Sequence, residues 1–218
     1  MTAETAAFVR AHTRLGHAPH VPEIQLYLAE DAFDLWERVE AQVGEKGLAP
    51  PFWAFAWAGG QALARYVLDN PSLVAGRSVL DLAAGCGVVA LAAAKAGARR
   101  VVANEIDPFA IDAILLNAEA NDTRVETELG DMVGGDADGF DVVLAGDIFY
   151  DTAVTSRMMP FIRRLRARDV TVLVGDPGRA HLPREQFSRV AQYEVPVPRA
   201  LEDAEIKTTT VWRPLQSS

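Results

Sequence analysis

The stretch Val79-Leu80-Asp81-Leu82-Ala83-Ala84-Gly85-Cys86-Gly87-Val88 decides how this sequence folds. An apolar run of strand length leads into a turn with two glycines, and an alanine-rich segment of helical composition follows it. Gly85 and Gly87 let the backbone approach a ligand closely, and the start of the next helix offers N–H groups without intrahelical partners. We therefore predict a strand, a tight turn and a helix, with a ligand site at the turn.

The sequence on both sides of this stretch alternates between apolar runs of strand length and helical patterns. The runs lie at 78–82, 100–104, 125–129, 140–145 and 170–174, and the helical patterns lie at 61–68, 88–96, 108–121, 152–165 and 183–189. Two strand-like segments, 193–197 and 206–213, follow with no helical pattern between them. This order predicts an α/β fold: a seven-strand sheet, parallel except for an antiparallel last strand, with helices on both faces. In such sheets ligands bind at the carboxyl ends of the strands.

The first 50 residues have a different pattern from the rest of the chain. Two short helical patterns, 3–15 and 31–43, precede a Gly-Leu-Ala-Pro-Pro break at 47–51. We therefore predict two parts, a helical N-terminal arm over residues 1–50 and the main domain over residues 51–218.

Composition and charge exclude several classes of function. The chain has 218 residues, of which half are apolar, so it can build its own core. Its only cysteine, Cys86, excludes an internal disulfide, and its four histidines lack the spacing of zinc ligands, so no metal is expected. The net charge of −9 disfavours nucleic acid and suits a basic or lysine-bearing partner. The four arginines within 163–168 are better explained as one face of a solvated helix than as a nucleic-acid patch.

The distribution of apolar and charged residues along the sequence also constrains the cellular location of the protein. No apolar run reaches the ~18 residues of a membrane span. The start of the chain carries an early Glu4 and no basic region followed by an apolar core, unlike a signal or transit peptide. We therefore expect a cytoplasmic protein without membrane association. A monomer is expected because no long exposed apolar stripe is evident.

Two classes of cofactor are compatible with the glycine turn. Gly85-x-Gly87-x-x-Ala90 satisfies the dinucleotide fingerprint, which would indicate a nicotinamide dehydrogenase. Asp81 argues against this class, because a carboxylate beneath the turn repels a pyrophosphate and attracts the ammonium of an amino acid. The pattern Asp81-Leu-Ala83-x-Gly85-x-Gly87 resembles the first motif of seven-strand methyltransferases that use S-adenosylmethionine. The resemblance implies that these four residues bind that cofactor.

The next two strand tips carry further candidates for cofactor binding. Glu105 follows the second strand, where an acidic side chain can accept both hydroxyls of a ribose. Asp107 is the alternative, although it precedes a proline and suits a helix cap. At the third tip, Asp131 can accept from the adenine amine while Met132 packs on the ring, unless Asp131 is an ordinary surface-turn residue. The resemblance adds the three remaining candidates for this group, which are Trp57, Ile106 and Gly146.

The fourth strand tip carries the candidate catalytic pair. Asp147-Ile-Phe-Tyr150 lacks the Pro-Pro pair typical of enzymes that methylate planar amide or base nitrogens. A carboxylate and a phenol instead suit an aliphatic amine, which needs an anion to orient it and an aromatic wall along its chain. Asp-x-x-Tyr resembles the motif of seven-strand protein lysine methyltransferases. We therefore predict that Asp147 accepts the lysine ammonium, with Tyr150 beside it.

Several other segments give a closer resemblance. Pro22-Glu-Ile-Gln-Leu26 and the segments at 51–66, 103–108, 146–151, 175–179 and 208–212 are similar to the lysine methyltransferases of the electron transfer flavoprotein beta subunit. Two residues depart from the family pattern: Ala58 stands where some members have proline, and Ala83 replaces a glycine. Animal members are mitochondrial, so the absence of a transit-peptide pattern suggests a bacterial-type member.

The resemblance implies S-adenosylmethionine as cofactor and the flavoprotein beta subunit as protein substrate. Trp53, Asp176 and Arg179 are the candidates for contact with that substrate, although Trp53 and Trp57 also suit the core. Two other functions remain open at this point. One is methylation of another protein, such as a ribosomal protein, and the other is a non-catalytic module that binds S-adenosylmethionine and shields a partner.

Overall fold

The N-terminal arm contains the two predicted helices, and a β-hairpin lies between them. In the computed structural model, which describes residues 3–197 and 204–215, the arm consists of α1 (Ala3–His12), β1 (Arg14–Ala18), β2 (Val21–Leu28) and α2 (Ala32–Val43). The sequence predicted a helical arm, and the hairpin is where the structure differs from that prediction. Ile24 and Leu26 are fully buried in the same apolar cluster as residues of the main domain.

The main domain alternates strands and helices in the predicted order. Its elements are α3 (Ala58–Asp69), β3 (Ser78–Leu82), α4 (Val88–Lys95), β4 (Arg100–Glu105), α5 (Pro108–Ala120), β5 (Glu126–Leu129), β6 (Val142–Gly146), α6 (Thr152–Ala167), β7 (Thr171–Asp176), β8 (Phe187–Pro196) and β9 (Ile206–Pro214). They form a seven-strand sheet in the order β5-β4-β3-β6-β7-β9-β8. Strands β3 to β7 are parallel, and β9 runs antiparallel to both of its neighbours. The predicted sheet with its antiparallel last strand is confirmed.

Both faces of the sheet are covered by helices. Successive residues of a strand point to opposite faces, so Val79 belongs to one cluster with α3 and α4, and Leu80 belongs to another with α6. Because both faces are buried, all five residues of β3 are buried. The central strands β3, β6 and β7 consequently read as largely apolar runs in the sequence, whereas the edge strand β5 is mostly exposed.

The hairpin of the arm depends on a helix of the main domain. The side-chain oxygen of Asn117 on α5 accepts a hydrogen bond from the backbone N–H of Tyr27 at 2.7 Å. Asn121 accepts from the backbone N–H of Gln25 at 3.0 Å and donates to its carbonyl at 2.6 Å. An exposed strand edge leaves such groups without partners, and these two asparagines satisfy the edge of β2. The division of the chain at residue 50 stays a prediction.

The prediction of a helix at 183–189 is wrong. Only a single 3-10 turn forms, over Arg184–Gln186, and Phe187 already begins β8. Phe187 is buried and lies edge-on to Phe149, with ring centroids 5.7 Å apart. Phe187 pairs with Pro214 at the end of the antiparallel strand β9, and this pairing holds 187–189 in extended conformation. Pairing with a strand that is distant in sequence therefore outweighs the helical preference of the local sequence.

The arginines of α6 bind a neighbouring loop. Arg164 donates to the carbonyl of Val133 at 2.9 Å and to that of Gly135 at 3.0 Å, and Arg168 pairs with Asp138. These cations hold the 133–138 segment against the helix. Among the described residues, no helix has the length and apolar character required to cross a bilayer.

Candidate functional site

The turn after β3 is held in left-handed backbone conformations. The φ angles of Ala83, Gly85 and Gly87 are +54°, +55° and +77°. A Cβ built on Gly85 meets no heavy atom within 4 Å, so the space beside this glycine is open. On Gly87 a Cβ would lie 3.0 Å from a side-chain carbon of Ile114 on α5. The first position therefore faces free space, and the second allows close packing.

Asp81 on β3 is bonded to the helix that follows the turn. Its side chain is 1% exposed, and Oδ2 accepts a hydrogen bond from the backbone N–H of Ala90 at 2.9 Å. Burial raises the pKa of this carboxyl to about 8, and the charge of Glu105 acts in the same direction. Asp81 thus ties β3 to α4, and its predicted contact with the cofactor stays a prediction.

Glu105 at the end of β4 organises the same turn. Its Oε1 accepts from the backbone N–H of Gly85 at 2.8 Å, and Oε2 accepts from that of Ile106 at 2.9 Å. Burial raises the pKa of this carboxyl above its usual value. A carboxylate has about four lone-pair positions, so each oxygen can still accept from a hydroxyl. Ile106 beside it is 74% exposed, and Asp107 caps α5 by accepting from the N–H of Phe109 at 2.8 Å.

The third tip is occupied by surface contacts. Asp131 is exposed, forms an ion pair with Arg157, and accepts from the backbone N–H of Val133 at 3.0 Å. Met132 is partly buried against the cluster around α6. The geometry therefore gives Asp131 the surface-turn role that the sequence left open, and its contact with adenine stays a prediction.

Four glycines allow the start of α3 to rest on the ends of β6 and β7. A Cβ on Gly175 would lie 2.0 Å from the carbonyl oxygen of Gly59, and a Cβ on Gly146 would lie 2.8 Å from the backbone of Gly60. A Cβ on Gly59 would in turn lie 2.3 Å from the carbonyl oxygen of Gly175. Cβ atoms are not found at such distances, so only glycine fits at positions 59, 146 and 175, whereas a Cβ on Gly60 would lie 3.3 Å from Cγ1 of Val88. We call these residues, Gly59, Gly60, Gly146 and Gly175, the glycine seam.

Asp147 follows β6 directly and lies against this seam. Its φ angle is +57°, a conformation that aspartate adopts more readily than most residues. Oδ2 accepts from the backbone N–H of Gly60 at 2.9 Å, which satisfies a donor in the first turn of α3. Oδ1 accepts from Nε and Nη2 of Arg179 at 3.1 Å and 2.6 Å. Burial raises the pKa of the Asp147 carboxyl to about 6, against the opposing effect of the guanidinium.

The turn after β7 places Arg179 at this position. Asp176 is fully buried, and its Oδ1 accepts from the backbone N–H groups of Gly178 at 2.6 Å and Arg179 at 2.8 Å. Gly178 adopts a φ of +90°, which turns the chain back toward Asp147. The guanidinium of Arg179 lies over the ring of Trp57, 5.7 Å from its centroid. Asp176 and Arg179 thus lie beside Asp147 at the tips of β6 and β7, which we call the acceptor end of the sheet.

Aromatic side chains lie next to Arg179. Tyr150 is 55% exposed, and its ring lies 6.0 Å from that of Phe52, which in turn lies 5.9 Å from that of Trp57. We call these three residues the aromatic rim. Sequence reasoning missed Phe52, although it lies inside the family-like segment at 51–66. Trp53 is 1% exposed and stacks on Phe109, so the geometry places it in the core and does not support contact with substrate.

The side chains at this site can orient a bound ligand and exchange protons with it. Carboxyls, a phenol and a guanidinium meet at the strand tips, and the described residues contain no group of three or more side chains suited to hold a metal ion. The tips of β3 and β4 offer an open backbone turn and a hydrogen-bond acceptor. The tips of β6 and β7 offer an oriented carboxylate beneath exposed aromatic rings.

Comparison with known proteins places this arrangement among methyltransferases. Residues 61–172, about half of the chain, match the family model described as ribosomal protein L11 methyltransferase (PrmA). The crystal structure of ribosomal protein L11 methylase from Lactobacillus delbrueckii subsp. bulgaricus has the same fold. It has a TM-score of 0.51 and 20% identity, and the match covers 78% of this chain and 83% of that one.

Two curated relatives match over a larger share of the chain. The electron transfer flavoprotein beta subunit lysine methyltransferase of Danio rerio is 42% identical over 169 residues, which cover 75% of this chain and 66% of that protein. The protein of that name from Xenopus laevis is 37% identical over 212 residues, which cover 94% of this chain and 85% of that protein. With an extended match at this identity, the chain belongs to the electron transfer flavoprotein beta subunit lysine methyltransferase family.

Proposed function

We propose that this chain transfers methyl groups from S-adenosylmethionine to lysine side chains of the electron transfer flavoprotein beta subunit. The substrate is the one named for the Xenopus laevis and Danio rerio relatives. The observation that carries the proposal is the acceptor end of the sheet, where Asp147 is oriented by Gly60 and Arg179 beneath the aromatic rim.

The turn after β3 and Glu105 at the tip of β4, which we call the donor end, have the groups that S-adenosylmethionine needs. Its ribose requires an acceptor for two hydroxyls, which Glu105 can provide, and its adenine requires an apolar neighbour, which the exposed Ile106 can provide. The open space beside Gly85 leaves the turn accessible to the rest of the molecule. When bound, S-adenosylmethionine supplies a methyl group on a positively charged sulfur, which an amine can displace.

The acceptor end can orient an amine but contains no strong base. A free lysine has a pKa near ~10.4 and is mostly protonated at neutral pH. In our proposal Asp147 aligns the amine after its proton has passed to water, and Tyr150 with the other rings of the aromatic rim encloses the aliphatic chain. Much of the rate enhancement then comes from holding the two reactants in contact.

One observation favours a second substrate class. The family model that matches residues 61–172 is named for methylation of ribosomal protein L11. A ribosomal protein substrate is therefore the second candidate. The net charge of −9 suits either substrate through its lysines.

Intact-mass analysis separates these candidates. Purified flavoprotein beta subunit and ribosomal protein L11 are each incubated with the enzyme and S-adenosylmethionine, with enzyme-free samples as controls. A mass increase of whole methyl groups on the flavoprotein subunit alone supports the proposal, and an increase on L11 alone supports the second candidate. If the chain binds S-adenosylmethionine but methylates no protein in a cell extract, it acts as a non-catalytic binding module.

Two other properties stay predictions. The monomeric state is tested by sedimentation equilibrium of the purified chain. The cytoplasmic location is tested by fractionation of the source cells with an antibody against the chain.

A further inference from the structure

The carboxylate of Asp147 is already largely occupied. Of its roughly four lone-pair positions, one accepts from the N–H of Gly60 and two accept from Nε and Nη2 of Arg179. Its side chain is 11% exposed. Asp147 is therefore already bonded to two partners before any amine binds. This arrangement suggests a role for Arg179 other than the substrate contact expected from the sequence.

Arg179 is itself held in place. Its backbone N–H is bonded to the buried Asp176, and its guanidinium lies over the ring of Trp57. The side chain is 20% exposed, so much of it is withdrawn from solvent. An arginine fixed in this way has lost its conformational freedom before any substrate arrives, which suits a positioning role.

The groups around Asp147 oppose one another. Burial and the charge of Asp176 on β7 raise the pKa of the Asp147 carboxyl, whereas Arg179 and the N–H of Gly60 on α3 lower it. Cys86 in the turn after β3 interacts with the charge of Asp147, but burial raises the pKa of its thiol to about 12, so it is neutral. Arg179 is thus the cation that offsets the burial of this carboxylate.

We propose that Arg179 is a positioning residue that keeps Asp147 ionised and correctly oriented at neutral pH. This inference rests on the proposed function, because the reaction that it supports is amine methylation at Asp147. One lone-pair position of the carboxylate remains for an amine N–H. The neutral Asp147–Arg179 pair orients that amine without strongly favouring its protonated form.

The test compares three variants with the wild type. Arg179→Met removes the charge and keeps the length, Arg179→Lys keeps the charge, and Arg189→Met removes an exposed arginine on β8 as a matched control. Single-turnover methylation is measured at saturating cofactor and protein substrate between about pH 6 and about pH 9. The ratio of wild-type rate to variant rate is taken at each pH, which cancels the ionisation of the substrate lysine.

The ratio for Arg179→Met should be about tenfold or more near pH 6.5 and should fall at least about fivefold by pH 9, where Asp147 ionises without help. Arg179→Lys should show a smaller dependence, and Arg189→Met should stay within about twofold at every pH. A ratio for Arg179→Met that does not change with pH would overturn the inference. Failure of the wild type to methylate any protein would instead count against the proposed function.

Thermal unfolding without substrate gives a readout that does not depend on methylation. In Arg179→Met the Asp147 carboxylate is buried without its cation, so its folded-state pKa rises further above the unfolded value. A raised carboxyl pKa means that stability is lost as the pH rises through it. The loss of Tm in Arg179→Met should therefore be larger near pH 8 than near pH 5.5. Equal losses at both pH values would contradict the role assigned to Arg179.

Discussion

Gly85 in the turn after β3 and Gly175 in the glycine seam lie at the same edge of the sheet, and the space around them differs strongly. In the turn after β3, Gly85 has a positive φ and open space beside it. In the glycine seam, Gly175 has no space at all, because a Cβ would lie 2.0 Å from a carbonyl oxygen of α3. The first arrangement leaves room for a ligand, and the second lets two backbones touch. Glycine in a sequence therefore does not by itself indicate a ligand site.

The turn and the seam also divide the site by task. The turn after β3, with Glu105, forms the donor end, where the cofactor is expected to bind. The glycine seam fixes α3 over β6 and β7, which brings the N–H of Gly60 to Asp147 at the acceptor end. The open space at the donor end allows a ligand to bind, and the close packing at the acceptor end orients Asp147. Substitutions at the two ends should accordingly fail in different ways.

The largest effect should come from adding a methyl group to the seam. Gly175→Ala places its Cβ against backbone atoms of Gly59 that cannot move alone, so we expect a loss of at least about 3 kcal/mol in the free energy of unfolding. Gly85→Ala should lose only about 1 kcal/mol, from its positive φ. Urea unfolding measures both, with Gly134→Ala as the baseline, since nothing lies within 4 Å of a Cβ there. Equal losses at Gly175 and Gly85 would remove the distinction.

The next effect concerns Asp147 and is catalytic. Asp147→Ala should lower methyl transfer by at least ~100-fold, because the amine loses its orienting group. Affinity for the cofactor should stay within about threefold, because the donor end is formed by other strand tips. Asp147→Asn can still accept from the N–H of Gly60 but loses the ion pair with Arg179, so it should also be poor. Cofactor titration and single-turnover methylation on the same preparations provide the measurement. Lost cofactor binding in Asp147→Ala would move this residue to the donor end.

A comparable change at the donor end should affect binding and leave orientation intact. Glu105→Ala should weaken S-adenosylmethionine binding by about 2 kcal/mol, the scale of lost charge-assisted hydrogen bonds. Asp131→Asn is the matched carboxylate variant, and its effect should be small because Asp131 is already paired with Arg157. Calorimetric titration measures both affinities. If Asp131→Asn weakens binding more than Glu105→Ala does, the third tip matters more than the second.

The smallest effect should be a gain in stability at the turn. Ala83 has a φ of +54°, a conformation in which a Cβ is strained. Ala83→Gly should therefore raise the free energy of unfolding by about 0.5–1 kcal/mol. Ala84→Gly, at the next position and without a positive φ, should lower it. Changes of the same sign in both variants would contradict strain at Ala83.

The sequence by itself determined the framework and predicted the edge of the sheet at which we propose the site. The alternation of apolar runs and helical patterns predicted the seven-strand sheet, because burial on both faces makes the central parallel strands largely apolar. The ends of those runs marked Glu105, Asp147 and Asp176, because strand tips meet at one edge of a parallel sheet. These features follow from local patterns and from a general rule of α/β folds.

Only the tertiary structure decided the partner of each functional side chain. The ion pair of Asp147 joins residues 32 positions apart, and its bond to Gly60 spans 87 positions. Asp131 was diverted to Arg157, and Trp53 was placed in the core, by contacts that no local pattern encodes. The last part of the segment at 183–189 likewise forms a strand from Phe187 onward, because β9 is available to pair with it. Local sequence specifies the conformations that a segment prefers, whereas partners are selected by the packing of elements that are distant along the chain.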